Sequence, residues 1–399
     1  MKIKNYIFNS IERYRVIRET AMQEFVSICK SRVFVFLLVI LPFFLFPFFC
    51  FFYNQGLLSD IPVGIYDADN SELSRAITRA IQSSRSMEIS AILTNKNALE
   101  EGMRQSEFQA AFYFPPGMEA GIKKQKQVHP VFYKNAQNIV ISNFLFKESA
   151  LIFKSYNAGI LLKKIKMSGK VESQAKSIVQ PVIPDILYLY NSNFNYKNFL
   201  CPAYVFVVCQ MIMMLAGMFS ITRHIEHRQY IRVIVNAQKS PGALIIGKLL
   251  PILLVFSIIV FFIQFILFPA FKIFNCGSEF LLFIFTLLFL TSSLLPGFAI
   301  GAFVRNPLMS TEAIIFVNMP TLLLSGYTFP AVPGPLKLFA DILPFVHYKN
   351  IYFKIAQMNT PVSIVLPDIL ALFTFVVIGF LGSWIGIVIL NKKLEKKTS

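Results

Sequence analysis

The sequence predicts an α-helical polytopic membrane protein of six transmembrane helices, with an α/β extracytoplasmic domain inserted after the first. Three observations predict it. Hydrophobic residues make up 55% of the 399 residues and charged residues only 15%, where a soluble domain averages roughly a quarter charged. Six uncharged stretches are each long enough to cross a bilayer, which takes about 20 apolar residues. Between the first two lies a segment, 54–197, in which strand and helix patterns alternate.

The elements follow in order. Residues 5–32 place Ile7, Ile11, Tyr14, Ile17, Ala21, Phe25 and Ile28 at helical spacing, with Arg and Glu between them. This is the pattern of an amphipathic helix lying in the membrane interface; a plain cytoplasmic extension of the first span is the other reading. The spans are expected at 33–53, 199–222, 249–271, 280–304, 313–336 and 369–391. The fifth is the least regular, with Pro320, Pro330, Pro333 and Pro335 in or near it. The first apolar run is too long for a signal core, and no small-residue cleavage site follows, so it reads as a retained span.

Within 54–197 the sequence predicts a strand at 61–67 and a helix at 69–81. Asp69 is expected to cap that helix, with Glu72 at capping-box spacing. A second strand is expected at 87–93, a short helix near 97–105 and a third strand at 108–114, stopped by Pro115, Pro116 and Gly117. A fourth strand at 128–134 and a long helix over 138–166 complete an α/β domain large enough to bury its own core.

The formal net charge is +17. The cations form no single patch, which argues against a nucleic-acid partner. They cluster beside the spans instead. Lys2, Lys4, Arg13, Arg15, Arg18, Lys30 and Arg32 precede the first; Arg223, Arg228, Arg232 and Lys239 join the second and third. Arg305 joins the fourth and fifth, and Lys392, Lys393, Lys396 and Lys397 follow the sixth, in the tail 392–399. Short loops rich in Lys and Arg stay cytoplasmic. All four clusters then share one side, with both termini inside a bacterial inner membrane and 54–197 outside. Cys29, Cys50, Cys201, Cys209 and Cys276 lie in or beside spans and give no disulfide framework and no metal spacing.

Candidate chemistry is sparse. GALIIGK (242–248) fits the first part of a P-loop, but Leu249 stands where Ser or Thr would hold magnesium. No buried strand precedes it and a span follows, so it reads as a helix leading into lipid. His224 and His227 lack a third ligand and read as solvated. The spans are nearly bare of charge; Glu312 stands at the start of the fifth, facing cytoplasmic water, and Asn318 lies further along it. A gradient-driven transporter needs buried ionisable groups, so energy is expected from elsewhere. Prolines and glycine break LLSGYTFPAVPGPLKLFADILPFVHY (323–348), which is expected to dip and return at the outer surface. Gly382 and Gly386 form a G-x-x-x-G pair, a motif common by chance.

Four segments together resemble the membrane subunit of type-2 ABC exporters, over nearly the whole chain. The first is QEFVSICKSRVFVFLLVILP (23–42), where an acidic residue and a basic–x–Arg pair lead into span one. The second is the insert, through 61–81 and 108–122. The third is E–x–R…SPGALIIGKLLP, where Glu226, Arg228, Pro241, Gly247 and Lys248 match. The fourth is LSGYTFP…LPFVHY, where Ser325, Gly326, Phe329, Pro330, Pro344 and Tyr348 match. The family often reads E–R–E–x–G–T in the third segment; this chain reads EHRQYIRV, without the glycine and more basic.

The resemblance implies a coupling helix near 223–241 that docks on a cytoplasmic ABC ATPase through Glu226, Arg228, Arg232 and Lys239. It implies an outer re-entrant segment near 325–348, with Ser325, Gly326, Phe329 and Pro330 at the exit. No cofactor is expected on this chain; ATP and Mg belong to the ATPase. Expected partners are that ATPase, a second permease copy (identical or different), membrane lipid and, on the outer domain, a periplasmic adaptor. The apolar spans suit export of a lipid-like or drug-like amphipathic molecule. The alternative is a scaffold or receptor displaying the outer domain; a third reading is an uncoupled channel.

Overall fold

A computed structural model describes residues 2–54, 58–167, 174, 178–179, 190, 195–226, 240–327 and 334–398; within these, side chains are described over 13–223 and 240–392. The chain forms two units, Met1–Gly56 with Tyr188–Ser399, and Leu57–Leu187. In chain order the elements are α1 (Lys2–Lys30) and α2 (Arg32–Phe52), then β1 (Ile61–Asp67), α3 (Glu72–Gln82), β2 (Met87–Leu93), α4 (Lys96–Arg104), β3 (Ala110–Phe114), α5 (Met118–Lys123), β4 (Val131–Lys134) and α6 (Ile139–Met167). The larger unit resumes with α7 (Tyr196–Glu226), α8 (Pro241–Ala270), α9 (Glu279–Val304), α10 (Pro307–Leu324), α11 (Gly334–Asp341), α12 (Pro344–Tyr352) and α13 (Val362–Thr398).

Six of these helices are long and apolar enough to cross a membrane: α2, α7, α8, α9, α10 and α13. Phe43, Phe44, Phe48 and Phe51 are all exposed on α2, a surface suited to lipid and not to water. The central helix is α9, buried through Phe289, Leu290, Leu294, Phe298 and Ala302. It meets α7 and α13 across small residues. A Cβ on Gly297 would lie 2.2 Å from the Met214 carbonyl oxygen, and one on Gly386 would lie 2.7 Å from Ala302 Cβ. The Gly382–Gly386 pair thus serves packing within this chain. Single π turns interrupt α2 at Phe36–Ile40 and α8 at Ile263–Leu267, and a third, Phe353–Gln357, follows α12.

Several boundaries differ from the sequence expectation: the fifth span starts at Pro307 rather than 313 and the sixth at Val362 rather than 369, and two further differences bear on the site. The third span starts at Pro241, not at 249. Ser240 caps it by accepting the Ala243 amide at 3.4 Å, and Pro241 fits the first helical turn. Lys248 therefore lies inside a span. The fifth span ends at Leu324 rather than 336, because Pro320 interrupts it and Gly326 adopts a left-handed φ of 79°.

The smaller unit holds a four-stranded sheet in the order β2-β1-β3-β4, parallel except that β4 runs antiparallel to β3. Val63, Ile65, Phe112 and Phe114 pack beneath Ile77 and Ile81 of α3 and Leu145 of α6. Leu99 of α4 packs with Phe108 and Ala111. The expected strands and helices are present, with β3 and β4 starting later, and α5 is an additional helix. The cap differs: Ser71, not Asp69, caps α3, in a box with Ser74. Asp69 instead accepts the Met118 and Glu119 amides at 2.7 and 3.1 Å, capping α5. A serine one position before the helix reaches its third amide; an aspartate two residues earlier cannot.

Candidate functional site

Two buried polar clusters stand out in the helical unit, one near each end of the spans. The first is built on the dipeptide Gly247–Lys248 in α8. Gly247 lies under α1: a Cβ there would meet Thr20 Cβ at 2.7 Å and the Ile17 carbonyl oxygen at 2.9 Å. The close approach brings Glu24 of α1 over Lys248, whose Nζ donates to Glu24 Oε2 at 2.7 Å, to the Ser220 carbonyl at 2.8 Å and to Ser220 Oγ at 3.2 Å. Both side chains are 2% exposed. Arg223 of α7 lies 3.5 Å from the same carboxylate oxygen, its guanidinium 5.0 Å from the centre of the Phe34 ring. An ammonium has three donors, and here each has an acceptor, the condition under which a buried charge is tolerated.

The face of α1 that packs on α8 reads Val16, Thr20, Glu24 and Ile28. Of the expected stripe, Ile28 belongs to this face and Ile17 and Ala21 are half-buried, but Tyr14 and Phe25 are exposed, as are Met22 and Val26; the side chains of Ile7 and Ile11 lie outside the described residues. The helix therefore has a packed face with a charge at its centre and an outward side on which Tyr14, Met22, Phe25 and Val26 are interspersed with Arg15, Arg18 and Gln23. The P-loop-like stretch acquires a different meaning. Its glycine seats a helix and its lysine neutralises that helix's carboxylate.

The second cluster surrounds α12. Phe345 N donates to Gln210 Oε1 at 2.8 Å, and Gln210 Nε2 donates to Asn318 Oδ1 at 2.8 Å. Tyr348 OH lies 2.6 Å from Thr286 Oγ1, which also accepts from Gln264 Nε2 at 2.7 Å. The Tyr348 ring stacks on Phe289 with centroids 4.3 Å apart and meets the Phe206 edge at 4.8 Å. On the other side, Asp368 of α13 gathers His347 Nδ1 at 3.4 Å, Asn350 Nδ2 at 3.0 Å and Lys354 Nζ at 3.2 Å. Lys349 Nζ donates to the Ser325 carbonyl. One short helix is thus tied by polar bonds to α7, α9, α10 and α13. In an apolar interior each such bond also fixes direction, because leaving its partner unsatisfied is costly.

Residues 32–385 match the family of ABC-2 family transporter proteins. The chain belongs to the ABC-2 transporter family. Two curated relatives are similar at modest identity: the "Probable multidrug ABC transporter permease YbhR" of Escherichia coli strain K12 and its counterpart in strain O157:H7. Each is 23% identical over 341 residues, covering 83% of this chain and 87% of the relative. Membership makes this a multi-pass membrane permease whose family works with a cytoplasmic ATPase.

For this ABC-2 member the expected site residues divide by location. Glu226 is the last residue of α7, and its side chain lies outside the described residues, as do Arg228, Arg232 and Lys239. Phe329 and Pro330 also lie outside them. Ser325 is buried at 3% exposure, its Oγ donating to the Leu322 carbonyl at 2.8 Å, and Gly326 makes the left-handed turn beside it. Glu312 is exposed and Asn318 buried. The spans are less bare than expected, since α8 holds Lys248 and α13 holds Asp368. Glu24 and Lys248 are 224 residues apart in sequence, and what could have paired them is the cost of a charge in a span: a lysine there demands an anion.

Proposed function

We propose that this chain is the membrane-spanning permease of an ATP-driven exporter. A separate cytoplasmic ATPase, carrying ATP and Mg, docks on the segment between the second and third spans through Glu226, Arg228, Arg232 and Lys239. Both termini are cytoplasmic in a bacterial inner membrane, and the α/β unit lies on the outer side, where a periplasmic adaptor has access to it. A second permease copy, identical or different, completes the path. The positive clusters beside the spans support this orientation.

The observation that carries the reading is the Glu24–Lys248–Arg223 cluster. It ties α1 to α7 and α8, the two spans that flank residues 227–239. A push on that segment reaches three helices through one buried ionic contact. The outer helix α12, tied to four spans, is the corresponding element at the exit, with Ser325 and Gly326 at its approach. The cargo is a lipid-like or drug-like amphipathic molecule; the likeness to a probable multidrug permease and the apolar spans favour this class.

The test is affinity purification of the tagged chain from native membranes. An ATPase co-purifies with the wild type and is lost from the double variant Glu226→Ala with Arg228→Ala, together with ATP-dependent export. If complex and export both survive that change, the docking assignment is wrong. If the isolated chain hydrolyses nucleotide, the division of labour is wrong.

A further inference from the structure

Cys50 and Cys201 meet where the inserted segment leaves and rejoins the spans. Cys50 lies two residues before the end of α2, and Cys201 lies in the second turn of α7. Their sulfurs are 3.1 Å apart, both residues are fully buried, and 151 positions separate them in the chain. Around them Phe49 and Tyr53 both stack on Tyr204, with centroids 5.3 and 5.7 Å apart. The remaining cysteines differ in kind: Cys29 and Cys276 are exposed, and Cys209 is buried two turns further along α7.

We infer that Cys50 and Cys201 form a disulfide in the mature protein, a staple between the first and second spans at the base of the insert. The sulfurs stand about 1 Å beyond the bonded distance of about 2.05 Å, so closure needs only a small rotation about the side chains. Disulfides persist outside the cytoplasm and are rare within it; the inference therefore rests on the proposed outward orientation of the insert. The two thiols lose two protons and two electrons as the sulfur–sulfur bond forms. The acceptor is the exchangeable disulfide of a thiol oxidoreductase in that compartment, reduced to its dithiol. Exchange takes place while the two spans assemble, before both sulfurs are covered. The bond would hold the two connections of the insert side by side whatever the rest of the bundle does.

The experiment uses the full chain in native membranes. Membranes are quenched in acid, denatured and alkylated with a maleimide without reductant, and the peptides are weighed. The expected result is a Cys50–Cys201 linked peptide, lighter by two hydrogens than the two thiol peptides, with Cys29, Cys209 and Cys276 alkylated. Cys50→Ser or Cys201→Ser each abolishes it without creating another pair. Alkylation of both Cys50 and Cys201 overturns the inference. A second arm separates this from a failure of orientation. In a cysteine-free background, Lys126→Cys on the insert is challenged with a membrane-impermeant maleimide in spheroplasts. Labelling there alongside free Cys50 and Cys201 sinks the staple alone; no labelling sinks the orientation, and the staple with it.

Discussion

At the scale of single residues, Lys248 shows how context sets the role of a side chain. A lysine in a span costs about 2.5–3.5 kcal/mol at the helix centre. Glu24 and Ser220 offset that cost and make Lys248 an attachment point for α1. Removing one partner leaves a buried charge unmatched, which typically costs about 3–5 kcal/mol, whereas replacing both by apolar groups is often neutral. Glu24→Gln, which leaves Lys248 without its anion, should therefore lower the thermal midpoint of the detergent-solubilised protein sharply, and Lys248→Met, which leaves Glu24 beside Arg223, should lower it less. Glu24→Met combined with Lys248→Met should recover much of the loss. Additive losses in the double variant would show that the two side chains do not act as a pair.

A second residue-scale prediction concerns Glu119. The Lys123 ammonium at 2.6 Å, and then the Leu73 amide at 3.3 Å, hold its carboxyl below the usual carboxylate value. A depressed native pKa contributes stability above the unfolded value and loses it as the pH falls through the native value. Thermal unfolding followed on the insert should show wild type modestly ahead of Glu119→Gln at pH 7, with the difference vanishing under strong acid. A gap that persists unchanged at low pH would place the effect outside this ionisation.

At the scale of elements, glycines decide how closely the central helix can be approached. The Met214 carbonyl leaves no room above Gly297, while a Cβ on Gly382 would lie 3.3 Å from Ala299 Cβ. Gly297→Ala should force α7 from α9 and cost several times more in thermal stability than Gly382→Ala, which needs only a slight shift. Equal effects would mean that the α7–α9 crossing is looser than described.

Hydropathy located all six spans, because lipid imposes one simple requirement on composition. It failed at the boundaries where chemistry is local. The third span began eight residues before expectation, since Lys248 looked like a residue for water while its anion sat on α1. The fifth ended early at Leu324, where Pro320 and Gly326 outweighed the apolar run beyond them. Strand alternation gave the sheet, but Ser71 took the cap assigned to Asp69. The docking residues were read from the third segment of the resemblance. The Glu24–Lys248 contact was not, because a long-range ionic partner leaves no periodic trace. Its two halves stood in two different matched segments, and nothing in spacing joined them.

At the scale of the whole molecule, the chain divides into a lipid-suited helical unit and an α/β unit with its own core. Each can be perturbed alone. Two groups of polar ties stand out among the described residues of the helical unit, around Lys248 and around α12, and α9 packs between α7 and α13, with Ser383 Oγ donating to the Leu295 carbonyl across the α9–α13 contact. Such an arrangement suits a body that responds as one piece.

The π turns make that body tolerant in one respect and exacting in another. A turn of this kind holds a surplus residue, so deleting Val39 from Phe36–Ile40 restores ordinary helix and leaves the phase on either side unchanged. Deleting Phe44, beyond the turn, swings every later side chain of α2 by about 100°. Cys50 would then point away from Cys201, and Phe49 from Tyr204. Two deletions five positions apart in one span should thus have opposite fates, one yielding a stable, well-folded protein and the other an unstable one, as purification yield and thermal midpoint would report.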